Sequence, residues 1–305
     1  MRTSKVASQQ LSSRVLSLVL CLAVVGCDSK HLLLATAVDV RDIGQAVTSS
    51  FAVIAPDNAR IIYVRDDGAS DSMVTRDIVS RAERALFSVP AGAELWTTAI
   101  DSGTLLLTVG GQVVEYALDG SVRMSYSLAS GTQDRFPSRS PDGRTLVFLR
   151  KTLTSGQEVL MFRDATTPDS PVQTLWSFLH GEDIKAVHWV DDNRVLVSCL
   201  TTQGTPGVPD NKVWDIPSRS GVAEAGLGAS ATPGSTGHYV VSFHPPDQLS
   251  DAYLSRIDGT GMTRLTNSAG SLGRFSWSRD GQIIVCQETR QTATHLQLVY
   301  LPPLR

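Results

Sequence analysis

The sequence lacks the local signatures by which most soluble enzymes announce themselves. It contains no G-x-S-x-G nucleophile elbow, no GxxxxGK phosphate loop and no H-E-x-x-H zinc motif. Its six histidines, at 31, 180, 188, 238, 244 and 295, are scattered, and no two have metal-ligand spacing on one element. Neither a metal nor a cofactor is therefore expected. No long apolar run is present: Val15 to Val25 is about half of the roughly 20 residues that a membrane-spanning helix needs. Charge is sparse, at 19% of residues, and the net charge is −3, so a nucleic-acid partner has no electrostatic support. With four cysteines in 305 residues, a disulfide framework is also excluded.

What the chain does have is a repeated hairpin. Arg135 to Arg150, RFPSRSPDGRTLVFLR, reads as strand, turn, strand. Pro141 presets φ, Asp142 can bond its own backbone, and Gly143 is free to take positive φ. The β-branched and apolar run Thr145–Leu149 suits a buried strand. Close copies are RFSWSRDGQIIVCQE (274–288) and AVHWVDDNRVLVSCL (186–200), and looser ones begin near Ile54, Ala99 and Thr232. Their turn residues, Asp57, Asp101, Asp142, Asp192, Gly234 and Asp280, recur at intervals of about 40–50 residues, as the blades of a propeller do. Third strands are expected at 85–89, 113–118, 158–162, 212–216, 252–257 and 296–301. The turn aspartates recur because each turn needs a local hydrogen-bonding residue, which is a better account of them than acid–base catalysis.

The patterns F-x-W-S-x-D-G (275–281) and L-x-x-x-D-G followed by L-T (254–266) resemble the WD-like propeller repeat of TolB and related bacterial envelope proteins. The resemblance covers the propeller and not the α/β domain that precedes it in TolB. It implies an all-β, six-bladed propeller over residues 51–305. The last copy ends one strand short, so a strand from the N-terminal segment is expected to complete it, and Leu32–Val40 is the candidate. Three regions fit the plan poorly. Only a short stretch, containing AELWTTAI, separates Val89 from Asp101. Residues 201–211 are Gly/Pro-rich and read as a loop, and 221–237 reads as a flexible connection. The acidic stretch Arg65–Asp71 reads as a solvated loop.

Residues 1–26 read as a leader: Arg2, Lys5 and Arg14 precede the apolar run. That run closes in Val25-Gly26-Cys27, which looks like a lipobox. The resemblance implies that Cys27 carries lipid and that 27–50 is a lipid-anchored segment in the bacterial envelope. Cys199 and Cys286 sit in like positions two copies apart, beyond the roughly 7 Å Cα limit for a disulfide, and are expected as unpaired core thiols. Trp189 and Trp277 should wedge between blades. The corresponding residue of the third copy is Arg139, which needs a partner or a route to water. His188 is expected as a packed, hydrogen-bonded residue.

Three functions compete. The first is a monomeric, non-enzymatic scaffold that docks an envelope protein or peptide. The second is a six-bladed hydrolase or lactonase-like enzyme, which needs acids on the innermost strands. The third is a receptor for an anionic small molecule or glycan. Arg135, Lys185 and Arg274 lie at similar positions before the turns of their copies and should form a positive rim at one mouth of the channel, a docking site on a net-negative protein.

Overall fold

The computed structural model describes residues 38–45, 51–66, 70–96, 103–178, 183–201, 208–224, 229–233, 238–243, 250–291 and 293–302. These form six four-stranded antiparallel sheets. Blade 1 runs through Val53–Ile54, Arg60–Asp66, Asp71–Asp77 and Glu83–Val89. Blade 2 comprises Glu94–Leu95, Thr104–Val109, Gln112–Ala117 and Val122–Ser125. Blade 3 is Thr132–Arg139, Thr145–Thr152, Glu158–Asp164 and Gln173–Ser177. Blade 4 is Asp183–Trp189, Arg194–Thr201, Val208–Asp215 and Ser220–Glu224. Blade 5 is Ala229–Pro233, His238–Phe243, Asp251–Arg256 and Thr263–Arg264. Blade 6 is Ser271–Trp277, Ile283–Arg290 and Ala293–Tyr300, completed by Asp39–Gln45 from the start of the chain. The first strands of neighbouring blades touch one another, so they surround the axis and the sheets radiate from it.

Each second strand is apolar on both faces because a blade lies on either side of it. Ile61–Val64, Leu146–Leu149 and Ile284–Cys286 are buried throughout. The turns that lead into these strands are built as the sequence suggests. Asp142 accepts from Ser140 Oγ (2.6 Å) and from the Arg144 amide (2.9 Å), and Gly143 takes a φ of 74°. Asp280 repeats this with Ser278 Oγ (2.6 Å) and the Gln282 amide (3.1 Å). In blade 4 the local role passes to Asp191, while Asp192 reaches across and accepts from the Asp142 amide of blade 3 (2.9 Å).

The ring is closed by the N-terminal segment, but the strand lies later than Leu32–Val40. It spans Asp39–Gln45 and pairs antiparallel with Ala293–Tyr300, from Asp39 opposite Tyr300 to Gln45 opposite His295. An outermost strand is covered on little of its surface, so a polar segment that buries Ile43 suits it better than a leucine run. Residues 31–37 lie outside the described residues.

Blade 1 has a complete set of strands. Its third strand is Asp71–Asp77, which the polar residues at its ends disguised, and Glu83–Val89 is the fourth. The shortage of residues before Asp101 therefore disappears. Asp71 is buried rather than solvated: it accepts the Gly92 amide (2.7 Å) and ties down the loop into blade 2. Residues 208–211 are strand, and 221–237 takes in most of Ser220–Glu224 and all of Ala229–Pro233. Small residues are required there, since Gly221 lies flat against the Trp214 indole, 3.8 Å from where a Cβ would stand.

Blades are joined by polar as well as apolar wedges. Trp189 Nε1 donates to the Ser138 carbonyl of blade 3 (2.8 Å), and Trp277 packs with Val240 and Leu254 of blade 5. Arg139 finds its partner in Glu115 of blade 2, at 3.0 and 3.1 Å, and Glu115 also accepts from Tyr126 Oη (2.7 Å). Cys199 and Cys286 are buried and form no disulfide.

Candidate functional site

Four of the six innermost strands carry an irregular step in their pairing. Register shifts fall at Arg135/Ser138, Ile184/Ala186, Ala229/Thr232 and Gly273/Ser276. A bulge turns a side chain away from the sheet's own alternation, a device common beside active sites. Two bulge residues have positive φ without being glycine: Phe136 at 50° and Arg274 at 52°. They belong to blades 3 and 6, on opposite sides of a six-membered ring. Such a backbone costs of order 1–3 kcal/mol and persists where packing over-determines it.

Four charged residues lie at or beside this part of the innermost strands. Glu94 pairs with Thr108, Arg135 with Leu149, and Gly273, just before Arg274, with Gln287; Lys185 bulges beside the Ile184–Cys199 pair. Arg274 is half-buried. Desolvation pulls its pKa below the ordinary value, and the Glu94 carboxylate, two blades away, acts against that pull. Arg135 lies 3.8 Å from Glu158 and places its guanidinium carbon 5.1 Å from the Phe136 ring centroid. Arg135 and Lys185 stand seven residues before the turn aspartates of their blades, whereas Arg274 stands six before Asp280 and occupies the bulge position that Phe136 holds in blade 3.

The channel also has an aromatic floor. Phe51 of blade 1 meets Trp96 of blade 2 at 5.4 Å between ring centroids, and Trp96 meets Phe136 of blade 3 edge-on at 4.5 Å. Phe51 also meets His188 of blade 4 edge-on at 6.2 Å. Blades 1 and 4 are opposite, so these rings meet over the axis. His188 is 3% exposed, and neither ring nitrogen has a partner; Trp96 Nε1 is also unpartnered. His188 is therefore packed as expected but not hydrogen-bonded. Burial drives its pKa down to about 3, so it is neutral near pH 7.

Other buried carboxylates brace the blades. Asp134 forms a two-point pair with Arg150 (2.7 Å each). Asp251 is held by Arg264, Thr266 and the Ser268 amide. Glu288 accepts from Gln297 (2.5 Å) and the Gly270 amide (2.8 Å). Among the described residues, no three or more His, Cys, Asp and Glu side chains gather to hold a metal. Cys27 lies outside the described residues.

Glu94, Phe51, Trp96 and Phe136 escaped the sequence reading as channel residues. The available signal was their distance from the turn residue of each copy: Glu94 precedes Asp101 as Arg135 precedes Asp142. The weak second copy hid it.

No protein-family model and no curated protein matches the sequence. Solved structures do. A gluconolactonase from Xanthomonas campestris is 12% identical, with a TM-score of 0.62 over 90% of this chain and 93% of that one. An oligogalacturonate lyase from Vibrio parahaemolyticus is 9% identical, with a TM-score of 0.57 over 89% and 96%. TolB from Acinetobacter baumannii is 16% identical, with a TM-score of 0.58 over 80% of this chain and 64% of that one. At these identities the likeness establishes the propeller fold, TolB-like among others. It also corrects the expectation of a non-enzymatic scaffold, because neighbours matched over nearly their whole length are named as enzymes. The absence of a local motif was weak evidence: a propeller assembles its site from single residues on separate blades, which leaves no contiguous signature.

Proposed function

We propose that the chain is a hydrolase of lactonase-like type, acting on a small anionic substrate at the channel mouth. The observation that carries the proposal is Arg274, left-handed and half-buried on the innermost strand of blade 6, within the electrostatic reach of Glu94. Arg135 and Lys185 attract the substrate's carboxylate, and Phe136 and Trp96 support its ring. Glu94 takes a proton from water as the water oxygen attacks the lactone carbonyl carbon. Arg274 balances the charge that develops on the carbonyl oxygen. The ring C–O bond then breaks, and the leaving oxygen recovers the proton from Glu94, giving a hydroxy acid.

The proposed setting is the bacterial envelope. Residues 1–26 would act as leader, 27–50 as a segment lipidated at Cys27 that carries the closing strand, and 51–305 as the propeller body. Likeness to TolB, an envelope protein, supports this location. The test uses the full chain in detergent, assayed by proton release from lactones of sugar acids. Turnover should fall at least 100-fold in Glu94→Gln, and KM should rise with little change in kcat in Arg135→Gln. Unchanged turnover in a folded Glu94→Gln protein, or no turnover of any anionic lactone by the unmodified chain, overturns the proposal.

A further inference from the structure

A second site lies away from the channel, on the outer flank where blade 3 meets blade 4. A cleft of about 400 Å³ opens there between Arg144, Thr145, Phe162, Arg163, Asp164, Thr166 and Gln173. That volume lies within the range of small-ligand sites. Its charge is positive on balance. The Asp164 carboxylate is engaged by the Thr166 amide and hydroxyl (2.7 Å each), and Arg163 is buried and bonded to Ser170 and the Pro168 carbonyl. Arg144 stands out, with 83% of its side chain exposed and only a long contact, 3.9 Å, to the Asp142 carboxylate.

Blade 4 adds a second cation. Arg219 donates to Gln173 Oε1 (2.6 Å) and lies 5.7 Å over the Phe162 ring, both residues of the cleft wall. Arg219 has a φ of 54° in the turn before Ser220, a place where glycine or asparagine is the low-cost choice. An arginine there is explained by what its side chain reaches.

The cleft continues into an aromatic step. Trp176 stands opposite Leu160 and Gln173 opposite Phe162, two strand positions or roughly 7 Å apart because the pairing shifts between them, and Trp176 is 43% exposed. Its ring lies 4.6 Å from that of Trp214 in blade 4, tilted by 34°. Trp214 is 5% exposed, and its Nε1–H is buried without a partner. The surrounding strand positions, Gln173, Thr174 and Ser177, are polar and exposed. This surface suits a flat ring edged with hydroxyls: it offers a partly exposed indole, amide and hydroxyl groups beside it, and two guanidinium groups at the far end.

We infer that this flank binds an acidic oligosaccharide, with one sugar ring on Trp176 and a carboxylate between Arg144 and Arg219. The inference does not depend on the reaction at the mouth. The probe is tetragalacturonate, compared with its methyl ester, titrated calorimetrically into the full chain in detergent. The acid should bind at least tenfold more tightly than the ester. Trp176→Ala should weaken acid binding at least tenfold, and Trp176→Phe should recover most of the loss. Arg144→Gln combined with Arg219→Gln should abolish the preference for the acid. Arg274→Glu, at the mouth, should leave this binding intact. Equal binding of acid and ester, loss in Arg274→Glu but not in Trp176→Ala, or binding unchanged in both overturns the inference. Circular dichroism confirms folding of each variant.

Discussion

Replacing Arg139 with alanine should cost much more stability than replacing an exposed arginine. Arg139 takes the place that Trp189 and Trp277 fill in blades 4 and 6 and offers a two-point contact to Glu115. The Glu115 side chain is 3% exposed, that of Arg139 28%. Without the guanidinium, Glu115 keeps Tyr126 Oη, but its charge stays buried. Breaking one side of such a pair costs about 3–5 kcal/mol, whereas replacing both members with apolar residues of similar volume is near neutral. At roughly 2–4 °C per kcal/mol for a large domain, Arg139→Ala should lower Tm by about 6–20 °C. The double variant Arg139→Trp with Glu115→Leu should recover most of this. Arg144→Ala, an exposed control, should shift Tm by about 1 °C or less. The measurement is thermal unfolding followed by circular dichroism. If Arg139→Ala melts within about 2 °C of the unmodified protein, the clamp does not hold blades 2 and 3 together.

Deleting residues 39–45 should expose the edge of Ala293–Tyr300 and cause aggregation, read by light scattering; unchanged solubility and Tm would refute closure by that strand. His188, with a folded-state pKa of about 3 against about 6.5 unfolded, remains neutral in the native state while the unfolded chain takes up a proton. Its contribution is therefore present above about pH 6.5 and declines by up to about 1.4 kcal/mol per pH unit as pH falls toward 3. Phe in its place should remove that part of the acid sensitivity in urea titrations. Mass spectrometry of the native N-terminus should find a lipid on Cys27, and Cys27→Ala should move the protein to the soluble fraction; an unmodified Cys27 defeats the anchoring proposal.

Much of the fold was legible because it rests on local chemistry. The Ser140–Gly143 turn closes on itself, and runs such as Thr145–Leu149 are apolar on both faces because each blade is covered twice. Repetition then made the blade count and the need for a closing strand readable from spacing alone. Which residues closed the ring was not readable, because an edge strand is chosen by how little of it is covered, and Asp39–Gln45 won over a more hydrophobic neighbour. Channel residues were harder still. Glu94, Phe51, Phe136 and His188 come from four blades and acquire meaning only when six strands converge on an axis and bulges turn side chains toward it. The partner of Arg139 was equally out of reach, since Glu115 is 24 residues away on another blade. Local sequence decides turns and strands because their hydrogen bonds span a few residues. The site was decided by closure of the ring, which places unrelated side chains within a few ångströms of one another.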